Sequence, residues 1–135
     1  MSGTPVVASG PVPIEESATL IAAEKVSGTP VYDAEGESLG SIETVMLDKR
    51  SGRVAYAVLA FGGFLGFGEK LFPLPWSVLR YDLELGGYRV DLDRETLRTG
   101  PSFTAAEAPD WGDRAWGERL HSHYGQRPYW ESLLI

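Results

Sequence analysis

The sequence predicts an all-β fold: a small β-barrel with short helical turns and an aromatic, partly helical C-terminal tail. Three observations lead there. Apolar residues recur with a period of two over short runs, as in Val54, Tyr56, Val58 and Ala60 against Ala55, Ala57, Leu59 and Phe61. Turn signals separate the runs, among them Asp33-Ala34-Glu35-Gly36, Asp48-Lys49-Arg50-Ser51-Gly52 and Gly86-Gly87. No long helical pattern interrupts them, which favours a closed or nearly closed barrel of about five to seven strands.

Taken in order, residues 1–17 are rich in proline, glycine and small side chains and read as a flexible leader. Thr19 to Ala23 reads as a first strand, and Glu24-Lys25-Val26 as a helical turn before Thr29-Pro30-Val31-Tyr32 resumes extension. Leu39 to Leu47 alternates imperfectly, which predicts a strand with a bulge. A polar hairpin connection then leads into Val54–Phe61, uncharged on both faces and therefore a central strand covered on both sides. Gly62, Gly63, Gly66 and Gly68 give a structural loop that turns sharply. Beyond it, Pro73 and Pro75 deny ladder hydrogen bonds, which suits an edge or a barrel corner near Trp76.

Ser77-Val78-Leu79 reads as one helical turn, and Tyr81, Leu83 and Leu85 pair across a Gly86-Gly87 hairpin with Tyr88, Val90 and Leu92. Arg94 to Leu97 is a short helical turn closed by Gly100-Pro101. In the tail, Asp110 is the expected cap of a helix carrying Trp111, Trp116, Leu120 and Tyr124, Gly125 closes it, and residues 126–130 run extended. The predicted organisation is a leader over 1–17, a barrel domain over 18–103 and an appendage over 104–135, which folds back on its own barrel or covers a partner's.

With 135 residues the chain has room for one real core plus tails. It has no cysteine, which removes disulfides, thiolate metal sites and thiol nucleophiles. A formal net charge of −7 repels a phosphate backbone, and no nucleic-acid partner is expected. The first residues lack a signal-peptide pattern and no apolar run spans a bilayer, so the expectation is a cytoplasmic protein without an integral membrane segment.

The run Gly62-Gly63-Phe64-Leu65-Gly66-Phe67-Gly68-Glu69-Lys70, followed by Pro73-Leu74-Pro75-Trp76, resembles the core signature of the PRC-barrel domain family. The flanking Gly28-Thr29-Pro30-Val31-Tyr32, Gly36-Glu37-Ser38-Leu39-Gly40-Ser41-Ile42, Ser51-Gly52-Arg53-Val54 and Tyr88-Arg89-Val90-Asp91-Leu92 extend that resemblance over residues 18–103. The tail, from Tyr124-Gly125 to Pro128-Tyr129-Trp130, is similar to the ends of several members. The family includes the barrel of the photosynthetic reaction-centre H subunit and the C-terminal domain of the ribosome-maturation factor RimM. Neither a proton pathway nor a ribosomal site transfers to any residue here, because the H subunit's transmembrane helix and RimM's second barrel have no counterpart in this sequence.

Several features invite chemistry. The glycine loop lacks the Gly-Lys-Ser/Thr step of a phosphate-binding loop and reads as a turn. Phe61, Phe64, Leu65 and Phe67 either plug the barrel end or present a partner surface, to which Trp76, Trp116, Tyr129 and Trp130 are natural additions. His121 and His123 have no third ligand and point to different faces of a helix, so neither a metal nor a cofactor is expected. Asp82 with Glu84 and Asp91 with Asp93 fall on the wet faces of strands, and no catalytic residue stands out.

The resemblance implies a non-enzymatic protein–protein interaction or assembly module, expected to be a homo-oligomer. The alternatives are a small-ligand or stress-related binding protein, favoured by an apolar cavity lined by Trp76, Trp111 or Trp130, and a less favoured RNA-processing or ribosome-associated factor.

Overall fold

A computed structural model describes residues 16–17, 20–61 and 70–132. A four-residue helix α1 (Ala23–Val26) precedes strands β1 (Pro30–Tyr32), β2 (Ser38–Leu47), β3 (Val54–Phe61) and β4 (Leu71–Pro75). A 3-10 turn over Trp76–Val78 leads into β5 (Leu79–Asp82) and β6 (Gly87–Val90), followed by helices α2 (Arg94–Arg98), α3 (Arg114–His123) and α4 (Tyr129–Ser132). The strands form one six-stranded sheet in the order β4-β3-β2-β1-β6-β5.

The sheet's two outermost strands, β4 and β5, are consecutive in the chain and only a 3-10 turn separates them. Both edges therefore meet at one corner, and the sheet must curl. It stops short of closure, since β4 and β5 do not pair, and the result is a half-barrel. Its concave face holds the core: Ala57 and Leu59 lie opposite Leu74 and Phe72 in the β3–β4 register, with Val31, Leu39, Ile42, Val90 and Leu97 wholly buried beside them. As expected, β2 is irregular, its register with β3 shifting between Ile42 and Thr44 and again between Met46 and Leu47.

Local expectations fail where a side chain supplies what a strand or glycine was expected to supply. Residues 20–22 are not a strand: the chain enters α1 at Ala23, and the strand that follows, β1, already has β2 and β6 as its two neighbours. The β5–β6 connection is not a Gly86-Gly87 hairpin. The Asp82 carboxylate accepts the amides of Glu84 and Leu85, the turn covers residues 83–86, and Gly86 closes it at φ +70°. Gly87 belongs to β6, where a Cβ would strike the Pro30 carbonyl of β1.

The expected wet-face carboxylate pairs are accordingly not strand pairs. Glu84 sits in a turn, and Asp93 lies beyond β6 as the N-cap of α2, accepting the Thr96 amide at 2.7 Å. Asp33 is nearly enclosed and accepts the amides of Glu35 and Glu37, with Arg94 at 3.1 Å. Burial alone would raise its pKa, but the Glu37 amide, the Arg94 guanidinium and the Glu35 amide outweigh it and hold the carboxyl below its ordinary value. That pair fastens the β1–β2 turn to α2.

In the tail, Asp113 rather than Asp110 caps α3, because Asp110 spends its carboxylate on the Gly112 amide. Residues 129–132 are helical rather than extended.

Replacing Gly87 with alanine should cost about 3 kcal/mol, since a rigid backbone carbonyl cannot yield to a new methyl group. Urea midpoints test this against Gly112→Ala, whose new Cβ meets nothing closer than 3.5 Å. Equal midpoints for the two variants would contradict the packing described at the β1–β6 seam.

Candidate functional site

The tail packs on its own barrel, and Tyr56 is the residue it packs on. Side chains on β3 alternate, so while Ala57 and Leu59 face the core Tyr56 projects to the opposite side, yet it is only 3% exposed. Four tail rings enclose it: Trp111 at 5.8 Å, Trp116 edge-on at 5.9 Å, His121 at 5.4 Å and Tyr129 edge-on at 5.4 Å. Tilted and edge-on contacts of this kind contribute about 0.5–1.5 kcal/mol each beyond the area they bury. Burial, reinforced by Tyr129 and opposed by Arg114, pushes the Tyr56 phenol well above its ordinary pKa.

Gly117 explains how α3 comes so close. A glycine inside a helix costs about 1 kcal/mol relative to alanine. Here a Cβ would press on the Trp130 ring at 3.0 Å and on the Tyr56 hydroxyl at 3.2 Å. The bare backbone admits both rings, and the Arg114 guanidinium lies over the Trp130 ring at 4.4 Å from its centroid.

His121 fastens the last helix. It is 1% exposed, its Nε2 accepts the Tyr129 amide at 3.2 Å, and its Nδ1–H donates to the Gly117 carbonyl at 2.7 Å. This is the neutral tautomer with both nitrogens engaged. Burial lowers the imidazole pKa, while the Gly117 carbonyl and the Glu131 carboxylate act in the opposite direction and do not cancel it. His123 points elsewhere, its Nε2 reaching the Thr96 carbonyl at 2.8 Å. No group of three or more metal-ligating side chains exists among the described residues.

The tail leaves a cleft of about 550 Å³ where it crosses the barrel corner, lined by Arg53, Trp76, Ser77, Arg127 and Tyr129 among others. Ser77 donates to the Gln126 side chain at 2.8 Å, tying the 3-10 turn to the segment between α3 and α4.

The two sheet edges differ. At the β4 edge the Leu71 and Phe103 backbones exchange two hydrogen bonds, and Phe103 meets Trp111 edge-on. The β5 edge makes no backbone bond beyond its partner β6 and its own turns among the described residues. Leu20, Tyr81 and Leu83, three of the four exposed large apolar side chains among the described residues, gather there around a hollow of about 340 Å³.

The sequence-predicted partner residues thus separate. Phe61 is buried against Phe72, with ring centroids 5.0 Å apart. Trp116, Tyr129 and Trp130 belong to the tail seam, and Trp76 packs on Tyr88 at the cleft. Phe64, Leu65 and Phe67, with Gly62, Gly63, Gly66 and Gly68, lie outside the described residues. Sequence reasoning missed Tyr56 as the anchor of the tail and Tyr81 and Leu83 at the open edge. A lone glycine in the Trp116-Gly117-Glu118 helix was the available signal of a close approach.

A six-stranded half-barrel whose outer strands meet at one corner defines the class. The family model of the PRC-barrel domain matches residues 18–97, more than half of the chain, and the chain belongs to that family. No curated protein matches it. No helix among the described residues is long and apolar enough to cross a membrane.

His121 gives the seam a pH dependence. With a folded pKa below the ordinary 6.5, its contribution is complete above about 6.5 and is lost as pH falls through that value toward the lower folded one. The Asp33, Asp48 and Asp93 carboxyls, held below 3.8, stay ionised in this window. Urea midpoints should therefore fall between about pH 7.5 and pH 5.5 in the wild type and fall much less in His121→Asn. An unchanged slope in His121→Asn would contradict the role given to this imidazole.

Proposed function

We propose that this PRC-barrel protein is a non-enzymatic assembly module that pairs with a second copy of itself through the β5 edge. The carrying observation is that edge: backbone unpaired among the described residues beside three exposed apolar side chains, on a sheet whose other edge is bridged at Leu71 and carries Pro73 and Pro75. An open strand edge invites another strand, and large apolar side chains beside it add the area that makes such pairing last.

Charge favours a second copy as the occupant. Arg80 lies directly across from Arg89, and Asp82 and Asp91 both pair with Arg89, leaving Arg80 without an ion-pair partner among the described residues. An antiparallel two-fold centred on Tyr81 would set Arg80 opposite Asp82 of the second copy, twice over, with the two Tyr81 positions facing each other at the axis and Leu83 of each copy opposite Leu79 of the other. The non-enzymatic reading draws support from how the polar groups are used: the carboxylates of Asp33, Asp82 and Asp93 cap turns and a helix, and both His121 nitrogens are engaged.

Light scattering on the full chain tests this across a concentration series. The wild type should be dimeric at micromolar concentration, and Arg80→Glu and Leu83→Asp should each weaken dimerisation by about tenfold or more. Leu47→Asp, exposed on β2, should leave it unchanged. A wild type that stays monomeric throughout, or a dimer indifferent to both β5-edge variants, would overturn the reading.

A further inference from the structure

The cleft under the tail is the other feature that neither folding nor edge pairing accounts for. Acidic side chains outnumber basic ones 19 to 12 in this chain, yet no Asp or Glu lines the cleft, while Arg53 and Arg127 both do. Neither arginine forms an ion pair among the described residues. Two guanidinium groups gathered without a carboxylate raise the local potential against the sign of the whole molecule, which is the arrangement an anionic ligand needs.

The remaining walls say what kind of anion fits. Trp76 and Tyr129 supply flat aromatic surface, and the Ser77–Gln126 pair offers polar groups at 2.8 Å from one another. At about 550 Å³ the cleft has the size of sites that take small organic molecules rather than a bare ion. We infer that this cleft binds a small planar aromatic oxyanion, the carboxylate or phosphate engaged by Arg53 and Arg127 and the ring system laid against Trp76 and Tyr129. Guanidinium forks match carboxylate and phosphate oxygens in geometry and charge, and they also stack on aromatic planes. The walls come from β3, the corner turn and the tail together, so the site exists only while the tail is docked.

This inference is independent of self-association through β5, because the cleft and that edge share no lining residue. The probes are 2-naphthoate, 2-naphthyl phosphate and the neutral 2-naphthalenemethanol, titrated into the full-length protein while the Trp76 indole N–H and the arginine side-chain N–H signals are followed by NMR. Saturable shifts of the Trp76 signal are expected with at least one of the two anions, and the tighter of them identifies the head group. Arg53→Gln and Arg127→Gln should each weaken that binding by about tenfold. Both positions are exposed, so their folds should persist, which circular dichroism checks. Arg119→Gln, on an exposed face of α3 away from the cleft, should bind as the wild type does. The inference is overturned if neither anion saturates, if the neutral alcohol binds equally well, or if Arg119→Gln weakens binding as much as the cleft variants.

Discussion

The enclosure of Tyr56 is the constraint on which the rest of the architecture depends. An interior strand of a half-barrel with a large ring on the side away from the core needs cover there, and the tail provides it over β3. Four rings from the tail close over Tyr56, and His121, bonded through both nitrogens, holds the last helix in place above them. To reach that position the chain must pass along β4, and the Leu71–Phe103 bridge is made on the way. Covering Tyr56 therefore also protects one edge of the sheet.

The same route fixes what stays accessible. With β4 bridged at Leu71 and carrying Pro73 and Pro75, the edge that has no further backbone partner among the described residues is β5. Where the tail crosses the corner between the two edges, its turn and the 3-10 segment do not fill the space, and the cleft lies between them. Edge and cleft are thus both consequences of where the tail docks, although they recruit different chemistry. The first offers backbone and apolar side chains; the second offers cationic groups in an acidic protein.

Much of the barrel was legible in the sequence because period-two alternation and proline placement act locally. The uncharged alternation of Val54–Phe61 marked a strand covered on both faces, and the prolines marked β4 as an edge. Turns were legible only in part. Gly86-Gly87 looks like a two-residue hairpin until the Asp82 carboxylate is seen to organise a longer turn, leaving Gly87 to satisfy a close approach to a strand more than fifty residues earlier. The cap of α3 was misplaced for a similar reason, since Asp110 and Asp113 are alike in sequence and only their backbone partners separate them. Of the cleft's walls only Trp76 was named from the sequence as a cavity residue, while Trp111 and Trp130, named with it, do not line the cleft; Arg53 and Arg127 escaped notice because they come together with it only through tertiary packing.

The central claim is that tail and barrel form one cooperative unit closed around Tyr56. Native-state hydrogen exchange measures this most directly, by comparing the opening free energies of the Leu120 amide in α3 and the Leu59 amide in β3, both in fully buried residues. The account predicts equal values in the wild type, set by one global unfolding event. If Leu120 exchanged through an opening several kcal/mol cheaper than that of Leu59, the tail would be a separately released appendage, and the account of the edge and the cleft built on its docking would fail.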